Sequence, residues 1–148
     1  MIGFTIGLLC ILVVSGLCSV CFKMDLKWWI SLSKPAFVLS GVYFSLFVSA
    51  SYLSSLLAIS RLVEHKHIFP SMIYFFILGV GCVLFMLFFF TLQNLLGALI
   101  FSTVVLGVSY ALFMRFLSKD IKIAIEFLPT LIFNIYSFLC TIAIFMNN

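Results

Sequence analysis

"IFPSMIYFFILGVGCVLFMLFFFTLQNLLGALIFSTVVLGVSYALFM", residues 68 to 114, contains no Asp, Glu, Lys or Arg over 47 residues. At about 1.5 Å per residue, a single helix of that length would be more than twice as long as the roughly 30 Å hydrocarbon core of a bilayer requires. The least apolar point of the run is "TLQN", Thr91 to Asn94, where a tight turn is expected. The stretch therefore reads as two membrane-crossing helices joined back to back.

The same criterion, applied outward, finds charge-free runs at residues 1 to 22, 35 to 60 and 127 to 148, each long enough for one crossing of about 20 residues. Five helices are expected, over 2–22, 38–59, 68–90, 95–116 and 125–146, forming one domain over 1–148. The runs are continuous rather than alternating, and lipid cannot satisfy open sheet edges, so strands are excluded as spanning elements. The expected fold class is an all-α, multi-pass integral membrane protein, a five-transmembrane-helix bundle. Composition agrees, with only 8% of residues charged against about 25% in soluble domains. No Lys or Arg precedes Lys23, unlike the basic start of a signal peptide, so the first helix is expected to persist in the mature protein.

An odd number of crossings puts the termini on opposite faces. Lys23, Lys27 and Lys34 fall on one side, and Arg61, Lys66, Arg115, Lys119 and Lys122 on the other; positive-inside counting thus favours an interior N-terminus by a narrow margin. The net charge of +4 is spread over these loops, which suits lipid headgroups and speaks against a nucleic-acid partner.

Candidate chemistry is sparse. The five cysteines, Cys10, Cys18, Cys21, Cys82 and Cys140, all fall in expected helices. "CSVC" at 18 to 21 has the spacing of a redox or metal motif but lacks a second pair or nearby histidines, so small apolar roles and no disulfide are expected. "EHKH" at 64 to 67 reads as an interfacial loop rather than a metal site, and two histidines in one loop cannot clasp a haem from opposite sides. With no ionisable residue at mid-depth, ion-coupled transport and nucleophile-base catalysis are both disfavoured, and no catalytic residue is assigned. Small residues, including Gly3 and Gly7, Ser45, Ser49, Ser51, Ser54 and Ser55, and Gly79, Gly81, Gly97 and Gly107, are expected to pack helices within one bundle, with a homodimer as the alternative. "FFF" at 88 to 90 reads as an interfacial aromatic girdle. The remaining aromatics, drawn from 19 Phe, five Tyr and two Trp, could line a cavity for a flat hydrophobic ligand.

The first loop, about Lys23 to Phe37, holds both tryptophans. Its "KWWISLSKP" would serve as a headgroup anchor on composition alone. Yet Trp28, Trp29, Leu32, Lys34, Pro35 and Phe37 resemble in type and spacing the signature of the TspO/MBR family, the tryptophan-rich sensory or translocator proteins also called peripheral-type benzodiazepine receptors. That signature runs Trp, Tyr, two residues, Leu, one residue, Lys, Pro, one residue, Trp or Phe. "LPTLIFNIYSFLCTIAIFMNN", Leu128 to Asn148, is similar to the family's fifth helix. Chain length, the expected spans, the long first loop and the very short third loop also agree, so the resemblance covers essentially the whole chain.

The resemblance implies a membrane-embedded binding protein, acting as sensor, carrier, receptor or regulator, for a flat hydrophobic ligand such as a porphyrin, haem or sterol. It implies no required cofactor; a porphyrin or haem would enter as ligand, and membrane lipids would be the other partners. Carried over by position, the implied lining is Ser19, Trp29, Val48, Tyr52, Phe133 and Ser137, with Trp28, Lys34, Pro35 and Phe37 shaping a lid. Lys34 is expected either to meet a ligand carboxylate or to anchor in headgroups. The chain also departs from the family. Leu39 and Ser40 replace two prolines, Val48 replaces a tryptophan, Leu78, Gly81 and Cys82 stand where an Asn and a Trp-Ser pair are usual, and Thr130 and Phe133 replace a Tyr and a Trp. Light-driven porphyrin breakdown is attributed to cavity tryptophans, so with Val48 and Phe133 in their places binding is expected to outlast degradation. The alternatives are an accessory or structural subunit whose cavity is filled by its own Phe and Met side chains, or a residual porphyrin-degrading enzyme.

Overall fold

The computed structural model describes residues 2–21, 25–39, 41–64 and 68–148. Ser40, His65, Lys66 and His67 lie outside the described residues, as does Lys23, and the reading of the "EHKH" loop rests on them. The elements are α1 (Ile2–Cys21), α2 (Leu26–Ser31), α3 (Gly41–Glu64), α4 (Ile68–Met86) continued by a π-helical turn (Leu87–Thr91), α5 (Leu95–Lys119) and α6 (Ile121–Asn147). No strand occurs among the described residues. Among the described residues, four helices are long and apolar enough to cross a membrane, at Tyr43–Val63, Pro70–Thr91, Leu95–Lys119 and Ile121–Asn147, and Thr5–Val20 is a shorter apolar helix.

The helices outrun the charge-free runs that announce them. α3 extends to Glu64 and α6 begins at Ile121, because a helix need not stop where the hydrocarbon does and its polar turns can pair with each other. Arg61 Nε of α3 meets Glu126 Oε1 of α6 at 2.5 Å in those extra turns. Asp120 starts α6 by accepting from the Lys122 amide at 2.8 Å, which meets one of the donors that a helix N-terminus leaves unpaired.

The long apolar run does break at "TLQN". The π turn carries α4 through Thr91, with Leu92 N bonded to Leu87 O at 2.9 Å and Asn94 N to Phe88 O at 2.8 Å. Gln93 takes a left-handed backbone, φ 53°. Asn94 then caps α5, its Oδ1 accepting from Gly97 N at 2.9 Å.

Helix contacts close a ring that does not follow chain order. α1 packs on α3 and α4, α3 on α6, α6 on α5, and α5 on α4. Small residues bring the axes close, as lipid-embedded packing requires. At Gly7 a Cβ would come within 2.9 Å of Leu56 on α3, and at Gly81 within 2.8 Å of Val105 on α5. Gly107, by contrast, meets nothing within 4 Å, so the expected packing role fails there.

Hydroxyls tie α3 to α6. Thr130 Oγ1 donates to Ser51 O at 2.8 Å and lies 2.9 Å from Ser55 Oγ, while Ser54 Oγ donates to Glu126 O. These bonds lie beside Pro129, which has no N–H and leaves the preceding turn of α6 short of a donor. One apolar core, including Leu62, Leu112, Phe116, Ile123 and Phe127, fills the end of the ring near the Arg61–Glu126 pair. A second, around Leu32, Phe89, Ala98 and Ile144, fills the other end.

Candidate functional site

Inside the ring lies a cavity of about 1520 Å³. Its walls come from α1, α3, α4 and α6, with Ser102 and Val105 of α5 behind, and most of the lining is apolar. All six residues expected on the wall, Ser19, Trp29, Val48, Tyr52, Phe133 and Ser137, line it, together with Lys34 and Pro35 from the lid. Trp28 and Phe37 do not. Trp28 packs edge-on against Phe89 with ring centroids 5.5 Å apart, and the Phe37 side chain is exposed.

The lid segment is a structured roof. Asp25 caps α2 by accepting from Lys27 N at 2.9 Å and Trp28 N at 3.4 Å, and one short turn of helix then presents adjacent indoles in different directions. Trp29 turns to the cavity, 6.2 Å from both Phe89 and Phe90. Lys34 is bound within the roof: Nζ donates to Trp29 O at 2.6 Å and sits 4.3 Å from the centre of the Trp29 ring. The ammonium thus braces the indole through a hydrogen bond and a cation–π contact while its charge stays on the cavity wall.

Farther along, α6 latches the roof. Ser33 N donates to Asn148 Oδ1 at 2.9 Å, and Asn148 Nδ2 returns a bond to Ser33 O at 3.2 Å. Tyr136 OH accepts from Leu39 N at 2.8 Å and donates to Phe37 O at 3.3 Å. Leu32 is buried in the same cluster as Phe89 and Ile144.

The reading of "FFF" as an interfacial aromatic girdle with no further role is corrected here. Phe89 is only 3% exposed and, with Phe90, lines the cavity under the roof; Phe88 lies over Gly97, where a Cβ would fall 2.2 Å from its ring. Three consecutive helical residues fan across about 200°, so they cannot all face lipid. That geometry was a usable signal in the sequence.

Sequence reasoning also missed Asn134, buried in α6 and on the cavity wall. Its Nδ2 donates to Ser109 Oγ of α5 at 2.6 Å. A lone Asn in the middle of an apolar helix is itself the available cue, since such a group must find a partner in lipid. Cys10, Cys18, Cys82 and Cys140 all line the cavity. Among the described residues no group of three or more His, Cys, Asp or Glu could hold a metal ion. The arrangement can enclose and stack a flat apolar molecule.

Comparison with known proteins gives one result: the model of the TspO/MBR family matches residues 5–146. No individually curated protein matches the chain.

Proposed function

This chain is a membrane protein that belongs to the TspO/MBR family, and from that premise we propose that it binds a flat hydrophobic ligand within the bilayer, such as a porphyrin, haem or sterol, as a sensor, carrier or regulator. The observation that carries this reading is the apolar cavity of about 1520 Å³ roofed by Trp29. Ligand pockets typically occupy about 300–1,000 Å³, so a tetrapyrrole or sterol has room.

On this proposal five helices cross the membrane. α1, with 20 residues, is about 30 Å long as a helix and just matches the hydrocarbon core. Membrane lipids and the ligand are the partners. The subunit alternative needs a cavity packed with the chain's own Phe and Met side chains, and the open volume speaks against it. For a porphyrin-degrading enzyme, Val48 and Phe133 bring no indole to the wall, and Trp29 is the one tryptophan lining it.

Both tryptophans lie in the roof, which provides the test. Titration of the purified protein with protoporphyrin, haem and cholesterol is expected to give saturable quenching of tryptophan emission with the porphyrins. Trp29→Ala is expected to weaken affinity by about 1–3 kcal/mol, the scale of losing a packed aromatic anchor, whereas Trp28→Phe leaves it nearly unchanged. No saturable quenching, together with co-purification of a fixed protein partner, would favour the subunit reading.

A further inference from the structure

We infer that the cavity also takes a long-chain fatty acid from the surrounding lipid, with the carboxylate under the roof at Lys34 and the chain running down the chamber. This goes beyond the flat ligand proposed above and rests on the same cavity being a ligand site. Among the described residues Lys34 is the only charged one on the lining. Its Nζ gives one N–H to Trp29 O, and an ammonium has three to give, so two donors and the positive charge remain for a carboxylate. The roof joins the end of α1 to the start of α3, which puts that charge at the depth where a lipid acid carries its own head.

The chamber is long enough for the chain. Along α3 its lining runs from Phe44 to Ile59, about 22 Å at 1.5 Å per residue, whereas one leaflet of hydrocarbon is about 15 Å deep, half of a roughly 30 Å core. Ser19, Ser49, Ser102 and Thr141 on the wall turn their hydroxyl hydrogens to carbonyls of their own helices, so those positions need nothing from a methylene chain. The chamber is also open to lipid at its side. α1 meets α4 at Gly79, where a Cβ would fall 2.9 Å from Val14. Leu78 of α4 is buried in the core; Phe76 and Val80, each two residues from it and so about 160° round the helix, point away from that core and are 72% and 42% exposed. Both nevertheless line the same cavity, as do the exposed Leu9, Val13 and Leu17 of α1. The cavity therefore continues through the α1–α4 seam to the outer surface. A lipid acid can slide in sideways with its head kept at interfacial depth, and its charge never crosses hydrocarbon.

The test uses the full chain in phosphatidylcholine nanodiscs at about pH 8.5, above the ordinary carboxylate range and below that of lysine. The probes are dibromostearic acid and its methyl ester, whose bromines quench the tryptophans of the roof. The acid is expected to quench saturably, and at a mole fraction at least about tenfold lower than the ester, the scale of a hydrogen bond to a charged group. In Lys34→Met the two probes are expected to converge to within about twofold, whereas Lys34→Arg keeps the preference for the acid. Acid and ester binding equally in the unaltered protein would overturn the inference. So would a loss in Lys34→Met shared alike by both probes, which would mean that the lysine only braces Trp29. Protoporphyrin quenching that saturates while that of dibromostearic acid does not would also overturn it and leave the ligand-cavity reading standing; saturation by neither would overturn both.

Discussion

Lys34 shows how one side chain can be legible in kind and illegible in use. Its place in the Trp-Trp-x-x-Leu-x-Lys-Pro series marks the lid, but a lysine beside a lipid surface has several outlets, and only the folded roof brings Trp29 O within 2.6 Å of Nζ. Trp28 and Trp29 divide in the same way. They are adjacent in sequence, yet a helical turn sends one against Phe89 and the other into the cavity. Lys34→Met is expected to loosen Trp29, shifting tryptophan emission to the red and weakening porphyrin binding about threefold to tenfold, the scale of a partly buried cation–π contact. Emission and affinity both unchanged would show that Trp29 is held by packing alone.

At the scale of elements, the α4–α5 connection carries the most consequence for the site. "TLQN" predicts the break because it interrupts an apolar run too long for one helix. What it does not announce is the π turn before it, which seats Phe89 and Phe90 beneath the roof, with Phe89 against Trp28 of α2 and Phe88 against Phe101 of α5. Asn94 is the residue that starts α5. Asn94→Ala is expected to cost about 1 kcal/mol, typical of a lost N-cap, measured as a lower midpoint of thermal unfolding in detergent. Between α3 and α6, Thr130→Val removes the bonds to Ser51 O and Ser55 and is expected to cost about 0.6–2 kcal/mol by the same measurement, the range for hydrogen bonds between membrane helices.

For the molecule as a whole, the ring order α1–α3–α6–α5–α4 converts five helices into walls around one chamber. It places Cys10, Cys18, Cys82 and Cys140, scattered through the chain, on the same cavity. In a Cys21→Ser background, labelling of these thiols by N-ethylmaleimide is expected to slow when protoporphyrin dimethyl ester is bound, because a ligand in the cavity covers its walls. Equal rates with and without the ester, counted by intact mass, would place the ester outside the ring. The sequence by itself determined the helices, the break at Thr91 to Asn94, the membrane setting and the family signature, because hydrocarbon thickness and the absence of charge act on each segment separately. Only the tertiary structure decided which faces look inward, that Phe89 lies under the roof and that Lys34 serves Trp29. Those outcomes depend on contacts between segments far apart in the chain, and helical periodicity alone leaves the facing of an almost uniformly apolar helix undetermined.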